Sequence, residues 1–373
     1  MLNGIDNRDQ VLSSLGDRRV GLITNPSGVD KSLVSTADWL GAHCRLTALF
    51  GPEHGIRGEC QAGHQIDDDF TDSVLGLPVF SLHGKRRRLS DDLFDLFDVL
   101  CYDIQDVGAR FYTYLYTLSY SMEDCAKRGV PVVVFDRINP LGGELVEGVR
   151  LDPEQNSFVG MYRLPTRYAL TVGEYARYIN SEFNVGCDLT VVPCQGYSRS
   201  LPYSESGMSW VMPSPNIPTW ESALIYIGTC LFEGTNISEG RGTTRPFELV
   251  GAPFINANRL ADTLNALELP GCRWRPVHFT PTFSKFEKEL CHGVQLHATN
   301  VDTFRPFEAG LRLYEAIRDG YSEFRHLGGG HFDRIVGTSS LREGRESVDE
   351  LIARARVESA AFRQESSSYW LYK

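Results

Sequence analysis

The chain has 373 residues, 42% of them hydrophobic, and a formal net charge of −11. That charge offers no basic face to neutralise phosphate, which excludes nucleic acid and anionic membrane as bulk partners. The length allows a large core and two domains, and no apolar run approaches the roughly 20 residues of a membrane-spanning helix.

The opening MLNGIDNRDQ lacks the pattern of an export signal, so the chain as written reads as cytoplasmic, a mature secreted or periplasmic chain being the alternative. Nine cysteines without CxxC or Cys/His ligand spacing read as buried thiols. Up to residue 150, apolar runs at about 20–25, 45–50, 77–82, 98–104 and 130–136 read as strands, and periodic stretches at 31–42, 90–97 and 109–128 as helices between them. This alternation predicts an α/β fold with a Rossmann-like, doubly wound parallel sheet as the N-terminal domain, residues 1–150.

Polar groups at the ends of such strands face the crevice where open α/β sheets bind ligands. The runs end in Asn25, in Glu53 and His54, in His83 and Lys85, in Asp103, Gln105 and Asp106, and in Asp136, Arg137 and Asn139. Tyr112 and Tyr114 follow closely and are candidates to face the same crevice, although aromatics at helical spacing also serve as core. The run Lys85 to Arg88 is followed by Asp91 and Asp92 and reads as a solvated approach to a helix.

After NPLGG the pattern changes, and residues 151–373 are expected to form a smaller α+β domain, with the active-site cleft between the two. A helix at 171–184 opens with the capping-box pair Thr171 and Glu174, and a strand follows at 187–193. Prolines forbid regular structure in VMPSPNIPTW. Helix 220–232 leads into EGTNISEGRGTTRPFELVGAP, a long polar loop of the kind that serves a site. Helices at 256–267 and 304–319 and strands near 273–279 and 292–298 complete the pattern, and little chemistry is visible beyond about residue 320.

No strand is followed by GxGxxG or GxxxxGK[ST], so NAD and ATP are excluded and no cofactor is expected. Neither a GxSxG elbow nor a metal-ligand motif is present, and no metal is expected. In GPEHG, Glu53 beside His54 in a tight turn suits a general acid, its competing role being to satisfy turn amides. A crevice of carboxylates, amides, aromatics and arginines has the wall composition expected for a small-molecule carbohydrate.

FGPEHGIRG, DIQDVGARFYTY, DRINPLGG with VEG after it, PSPNIPT, and EGTNISEGRGTTRPFELVGAP together resemble the bacterial exo-β-N-acetylmuramidase family of NamZ type, glycoside hydrolases formerly an uncharacterised domain family. The resemblance runs from GLITNPSGV to beyond residue 306. It implies release of N-acetylmuramic acid (MurNAc) from the non-reducing end of peptidoglycan fragments such as MurNAc-GlcNAc, in cell wall recycling. It assigns Glu53 as catalytic acid and a glutamate after NPLGG, best matched by Glu147, as its partner, with His54 and Asp106 tuning the acid. Glu239 is the other candidate partner. Asn25, Asp103, Gln105, Asp106, Arg110, Tyr112, Asp136, Arg137, Asn139, Tyr168, Asn236, Glu239, Arg241 and Arg245 are the expected substrate-binding residues. Arg110, Arg241 and Arg245 are candidates for the lactyl carboxylate, because a guanidinium matches a carboxylate in two parallel hydrogen bonds. Pairing of Arg241 and Arg245 with Glu239 and Glu248 is their competing role. One departure stands out: where the family has RHGMT, this chain has Arg167, Tyr168, Ala169, Leu170 and Thr171, which opens the alternative of a different N-acetylhexosamine substrate. A non-catalytic muropeptide sensor is the third reading.

Overall fold

The computed structural model describes residues 1–53, 55–58 and 69–373. Among the described residues, ten strands fall into two sheets. In the first sheet, strands β1 (Arg19–Thr24), β2 (Arg45–Gly51), β3 (Phe70–Thr71), β4 (Pro78–Ser81), β5 (Val99–Asp103), β6 (Val132–Phe135) and β7 (Leu189–Val192) lie in the order β3-β4-β2-β1-β5-β6-β7. All pairs are parallel except β3 with β4. The chain builds outward from β1 to one side, then returns to β5 on the other, so the order reverses between β1 and β5. At such a switch point the strand ends leave a crevice open.

The continuous apolar runs are explained by burial on both faces. Val20, Leu22, Val99, Cys101, Val133 and Phe135 pack into one core, and Ile23, Leu100, Tyr102, Val132 and Val134 into the other. Helices α1 (Arg8–Leu15) and α2 (Thr36–His43) contribute to the first; α3 (Tyr114–Arg128) and α4 (Val172–Glu182) contribute to the second. Helix α2 starts five residues later than its periodicity suggests, because the Asp30 carboxylate accepts the amide N–H groups of Ser32 and Val34 and ties residues 30–34 into a turn. The 90–97 stretch forms a 3₁₀ helix, Asp91–Leu96. Around the neighbouring basic run, Arg86 pairs with Asp69, and Arg88 with Glu123 and Asp124.

The sheet runs past residue 150. Strand β7 pairs in parallel with β6 over Val132 to Phe135, so the boundary expected at 150 divides strands that share one hydrogen-bonded sheet. The second region holds α5 (Trp220–Thr229), β8 (Leu249–Ala252), α6 (Ala257–Asn265), β9 (Cys272–Phe279), β10 (Cys291–Ala298), α7 (Pro306–Gly320), α8 (His331–Val336) and α9 (Val348–Ser366). Its sheet is antiparallel in the order β8-β10-β9. Strand β8 lies within the Gly/Thr segment read from sequence as loop.

Two glycines let α5 and α7 meet backbone to backbone. A Cβ on Gly228 would stand 2.0 Å from the Pro306 carbonyl oxygen, and one on Gly310 2.0 Å from that of Gly228. The C-terminus returns to the first sheet, where the Tyr372 hydroxyl donates to Asp136 at 2.6 Å. Among the described residues all eight cysteines are free thiols, and no helix is long and apolar enough to cross a membrane.

Candidate active site

Strand β2 delivers Glu53 to the turn at its carboxyl end. The segment between β5 and α3 comes to the same place: the Asp106 carboxylate accepts the Gly108 amide at 2.6 Å, and the Arg110 amide donates to the Thr166 carbonyl. These bonds hold 104–113 out of helix, so α3 begins at Tyr114 and not at 109, and Phe111, Tyr112 and Thr113 enter the crevice. The proline-rich loop is held by donors from two sides. Asn25 Nδ2 donates to the Pro213 carbonyl at 3.0 Å and the Tyr114 hydroxyl donates to the same oxygen at 2.7 Å, which brings Ser214, Asn216 and Ile217 alongside.

These elements and the second region enclose a cavity of about 200 Å³. Glu53, Thr113 and Tyr114 line it together with Glu233, Arg241, Tyr226 and Phe247. Thr113 Oγ1 donates to Glu53 Oε2 at 3.4 Å, and His83 Nε2 lies 4.0 Å from Oε1. Glu233 is fixed by Arg241 at 2.5 Å on Oε1 and by His331 Nε2 at 3.1 Å on Oε2. Burial opposes its charge, but Arg241 and the hydrogen bond from His331 outweigh that and hold its carboxyl below the usual carboxylate range. Arg241 also meets Glu239 at 3.3 Å, and Glu239 in turn meets Lys285 at 2.9 Å. Two polar groups on the cavity wall are left over: the Tyr112 hydroxyl and the Asn216 side-chain nitrogen are buried without a hydrogen-bond partner among the described residues.

The other expected site residues have different surroundings. His54 lies outside the described residues. Asp103 is fully buried against Arg137, at 2.5 and 2.8 Å, and accepts from Thr36. Asp136 accepts from Thr171, Gly173 and Tyr372, and anchors the start of α4 and the C-terminus together. Gln105 donates to the carbonyls of Asp106 and Ile138, and Asn139 to that of Leu170. Asn236 braces residues 323–325. Arg245, half exposed, meets Glu248 at 3.3 Å.

Arg110 is fully buried with two carbonyl partners at the end of α8, Arg334 at 3.0 Å and Ile335 at 2.7 Å; burial pushes its guanidinium down to about 10. Tyr168 is also fully buried, and its hydroxyl donates to Asp106; it does not line the cavity. Burial pushes Asp106 up to about 7, against the hydrogen bonds it accepts. Glu147 is not brought to Glu53. It faces a different cavity, beside Arg305 and Phe307, and is paired with Arg167 at 3.0 Å. Burial raises its carboxyl despite that partner.

Of the expected residues, Glu53, Tyr112, Tyr114 and Arg241 therefore share the cavity, with Glu239 and Asn25 one contact behind. Glu233, Asn216, Phe247 and Tyr226 were not singled out from sequence. The signals were present in PSPNIPT and EGTN: Asn216 lies in a turn of the first, and Glu233 in a 3₁₀ helix, Cys230–Gly234, that runs into the second. Among the described residues no three His, Cys, Asp or Glu side chains converge as a metal site.

An open α/β sheet with an acid at a strand end, sharing an aromatic-walled cavity with a second carboxylate, defines the class: an enzyme shaped for a small polar ligand such as a sugar. The chain belongs to the exo-β-N-acetylmuramidase NamZ family, whose N-terminal model matches residues 20–221 and whose C-terminal model matches residues 224–372. It is thus a glycoside hydrolase. It is 46% identical over 364 residues to the peptidoglycan β-N-acetylmuramidase NamZ of Bacillus subtilis, a match covering 96% of this chain and 88% of that one. Two solved structures from Bacteroides fragilis, both described as DUF1343 family proteins, are similar throughout: one superimposes with a TM-score of 0.91 at 35% identity, the other with 0.78 at 29%, each covering 100% of this chain and 99% of its own.

Proposed function

We propose that this enzyme releases the terminal, non-reducing MurNAc from peptidoglycan fragments such as MurNAc-GlcNAc, with Glu53 as the general acid. The observation that supports the reading is the cavity itself, which is lined by both Glu53 and Glu233 and has a volume of about 200 Å³. Pockets for larger ligands usually span ~300–1,000 Å³, so this space suits one terminal unit, as exo-action requires. Glycosidic cleavage needs a carboxyl that can protonate the departing oxygen and negative charge near the oxocarbenium-like centre. Glu53, whose carboxylate is met among the described residues by Thr113 and the more distant His83, suits the first task; Glu233, paired with Arg241, suits the second. The activity of the Bacillus subtilis relative supports the substrate.

Incubating wild type and Glu53→Gln with MurNAc-GlcNAc and weighing the products by mass spectrometry tests this. Free MurNAc is expected from wild type, with turnover reduced by roughly 10²- to 10⁴-fold in the variant, the usual contribution of a general acid. Equal turnover by the two would remove Glu53 from the role. Glu147→Gln separates the two candidate partners: turnover per folded molecule is expected to stay near wild type, because Glu147 faces another cavity.

A further inference from the structure

The small antiparallel sheet carries a pair of side chains that the glycosidase site does not use. His278 on β9 and His292 on β10 stand directly opposite each other in the register of the two strands. Their Nδ1 atoms are 2.6 Å apart, and the rings are nearly perpendicular, at 81° with centroids 4.9 Å apart. His278 is exposed and His292 half-buried, so solvent reaches the pair. Neither residue lines the cavity that holds Glu53.

The surroundings leave the two imidazoles to each other. Side chains alternate along a strand, so the next pair on this face is Pro276 with Val294, and the residue opposite His292 on β8 is Ala252. None of these three side chains can donate or accept a hydrogen bond, and the alanine leaves room beside the rings. The positions are fixed by a ladder paired continuously from Cys291 with Phe279 to Ala298 with Cys272. Two nitrogens that converge on one point from a rigid frame can share a proton or share a cation, and imidazole is the commonest metal ligand in proteins. Bonds of 2.0–2.1 Å to one ion set two such nitrogens about 2.9–3.4 Å apart, a widening that rotation of the exposed His278 ring supplies.

We propose that His278 and His292 form a binding site for one nitrogen-preferring divalent transition-metal ion, Ni²⁺, Cu²⁺ or Zn²⁺. Oxygen-preferring Mg²⁺ and Ca²⁺ do not suit an all-imidazole pair. Two protein ligands are fewer than the three or four of a resident zinc site, so water completes the coordination and the ion exchanges with solvent.

Calorimetric titration of the full chain with NiCl₂ at neutral pH, for wild type, His278→Asn, His292→Asn and His297→Asn, tests the site. Wild type is expected to bind one Ni²⁺ that either of the first two variants loses or binds at least about tenfold more weakly, since even the outer partners of a metal ligand carry that much affinity. His297→Asn, a change on the same strand β10 but outside the pair, should bind as wild type does, and MgCl₂ should give no binding at this site. Electron paramagnetic resonance of wild type with one equivalent of Cu²⁺ reads the ligands without any substitution, and coupling to two imidazole nitrogens is expected. No Ni²⁺ binding by wild type, undiminished binding in His278→Asn or His292→Asn, an equal loss in His297→Asn, or a copper signal without two imidazole nitrogens would each overturn the proposal.

Discussion

Two groups of buried polar side chains stand at the carboxyl ends of the same sheet. At the ends of β5 and β6, Asp103 meets Arg137 and Thr36, Asp136 meets Thr171, Gly173 and Tyr372, and Asn139 spans Leu141 and Leu170. At the cavity reached from β2 and from the segment before α3, Tyr112 and Asn216 are as buried but keep unused hydrogen-bonding capacity. A strand end tells where polar residues gather; the cavity tells which gathering is a site. The first group closes the N-terminal sheet, α4 and the C-terminus into one structure, and the second lines a cavity.

The largest effect expected in the closed group comes from Asp103→Asn. Both partners of this ion pair are at least 97% buried, with side chains 3% and 0% exposed, so the substitution leaves the Arg137 guanidinium without its countercharge. Breaking one side of a buried pair costs about 3–5 kcal/mol. Chemical denaturation should show a loss of that size, with turnover per folded molecule preserved. A lost turnover at unchanged stability would move Asp103 into the site after all.

The next effect is a pH dependence set by two raised carboxyls of the closed group. Burial pushes Asp106 up to about 7 and Asp136 up to about 6, each against the hydrogen bonds it accepts. A carboxyl raised in the folded state holds a proton that the unfolded chain releases near its ordinary value of about 4. Between about pH 4 and pH 7 the folded state therefore binds more protons than the unfolded one, and stability falls as pH rises. The slope approaches roughly 1.4 kcal/mol per pH unit for each group carrying a full proton difference. Melting temperatures from pH 4.5 to 7.5 should decline, and Asp106→Asn should flatten part of that decline. A rise over the same window would contradict the burial of these two acids.

Much of this arrangement was legible in the sequence, and the failures have a common cause. The strand runs and their polar ends were readable because a doubly buried strand must be apolar throughout, and Glu53 was readable because GPEHG forces a turn at one of them. Glu233 was not, because its chemistry depends on Arg241, 8 residues on, and on His331, 98 residues on at the head of α8. Glu147 sits where motif order suggested a partner, yet the fold turns it toward Arg167. Likewise LTVV reads as a strand, but only its pairing with β6 assigns it to the first sheet. Local pattern specifies elements; pairings across long sequence separations decide which side chains face each other.

The smallest effect gives the sharpest contrast between the groups, because it uses the same substitution twice. Tyr168→Phe removes a hydroxyl that donates to the buried Asp106 carboxylate, and leaving that acceptor short should cost about 1–3 kcal/mol. Tyr112→Phe removes a hydroxyl from an equally large, buried ring, but one with no partner to lose among the described residues. Its stability is expected to stay within about 0.5 kcal/mol of wild type or to rise slightly, since an unpaired polar atom has been removed from the interior. Parallel melts of the two variants decide the matter: if Tyr112→Phe loses as much stability as Tyr168→Phe, the Tyr112 hydroxyl is satisfied within the fold.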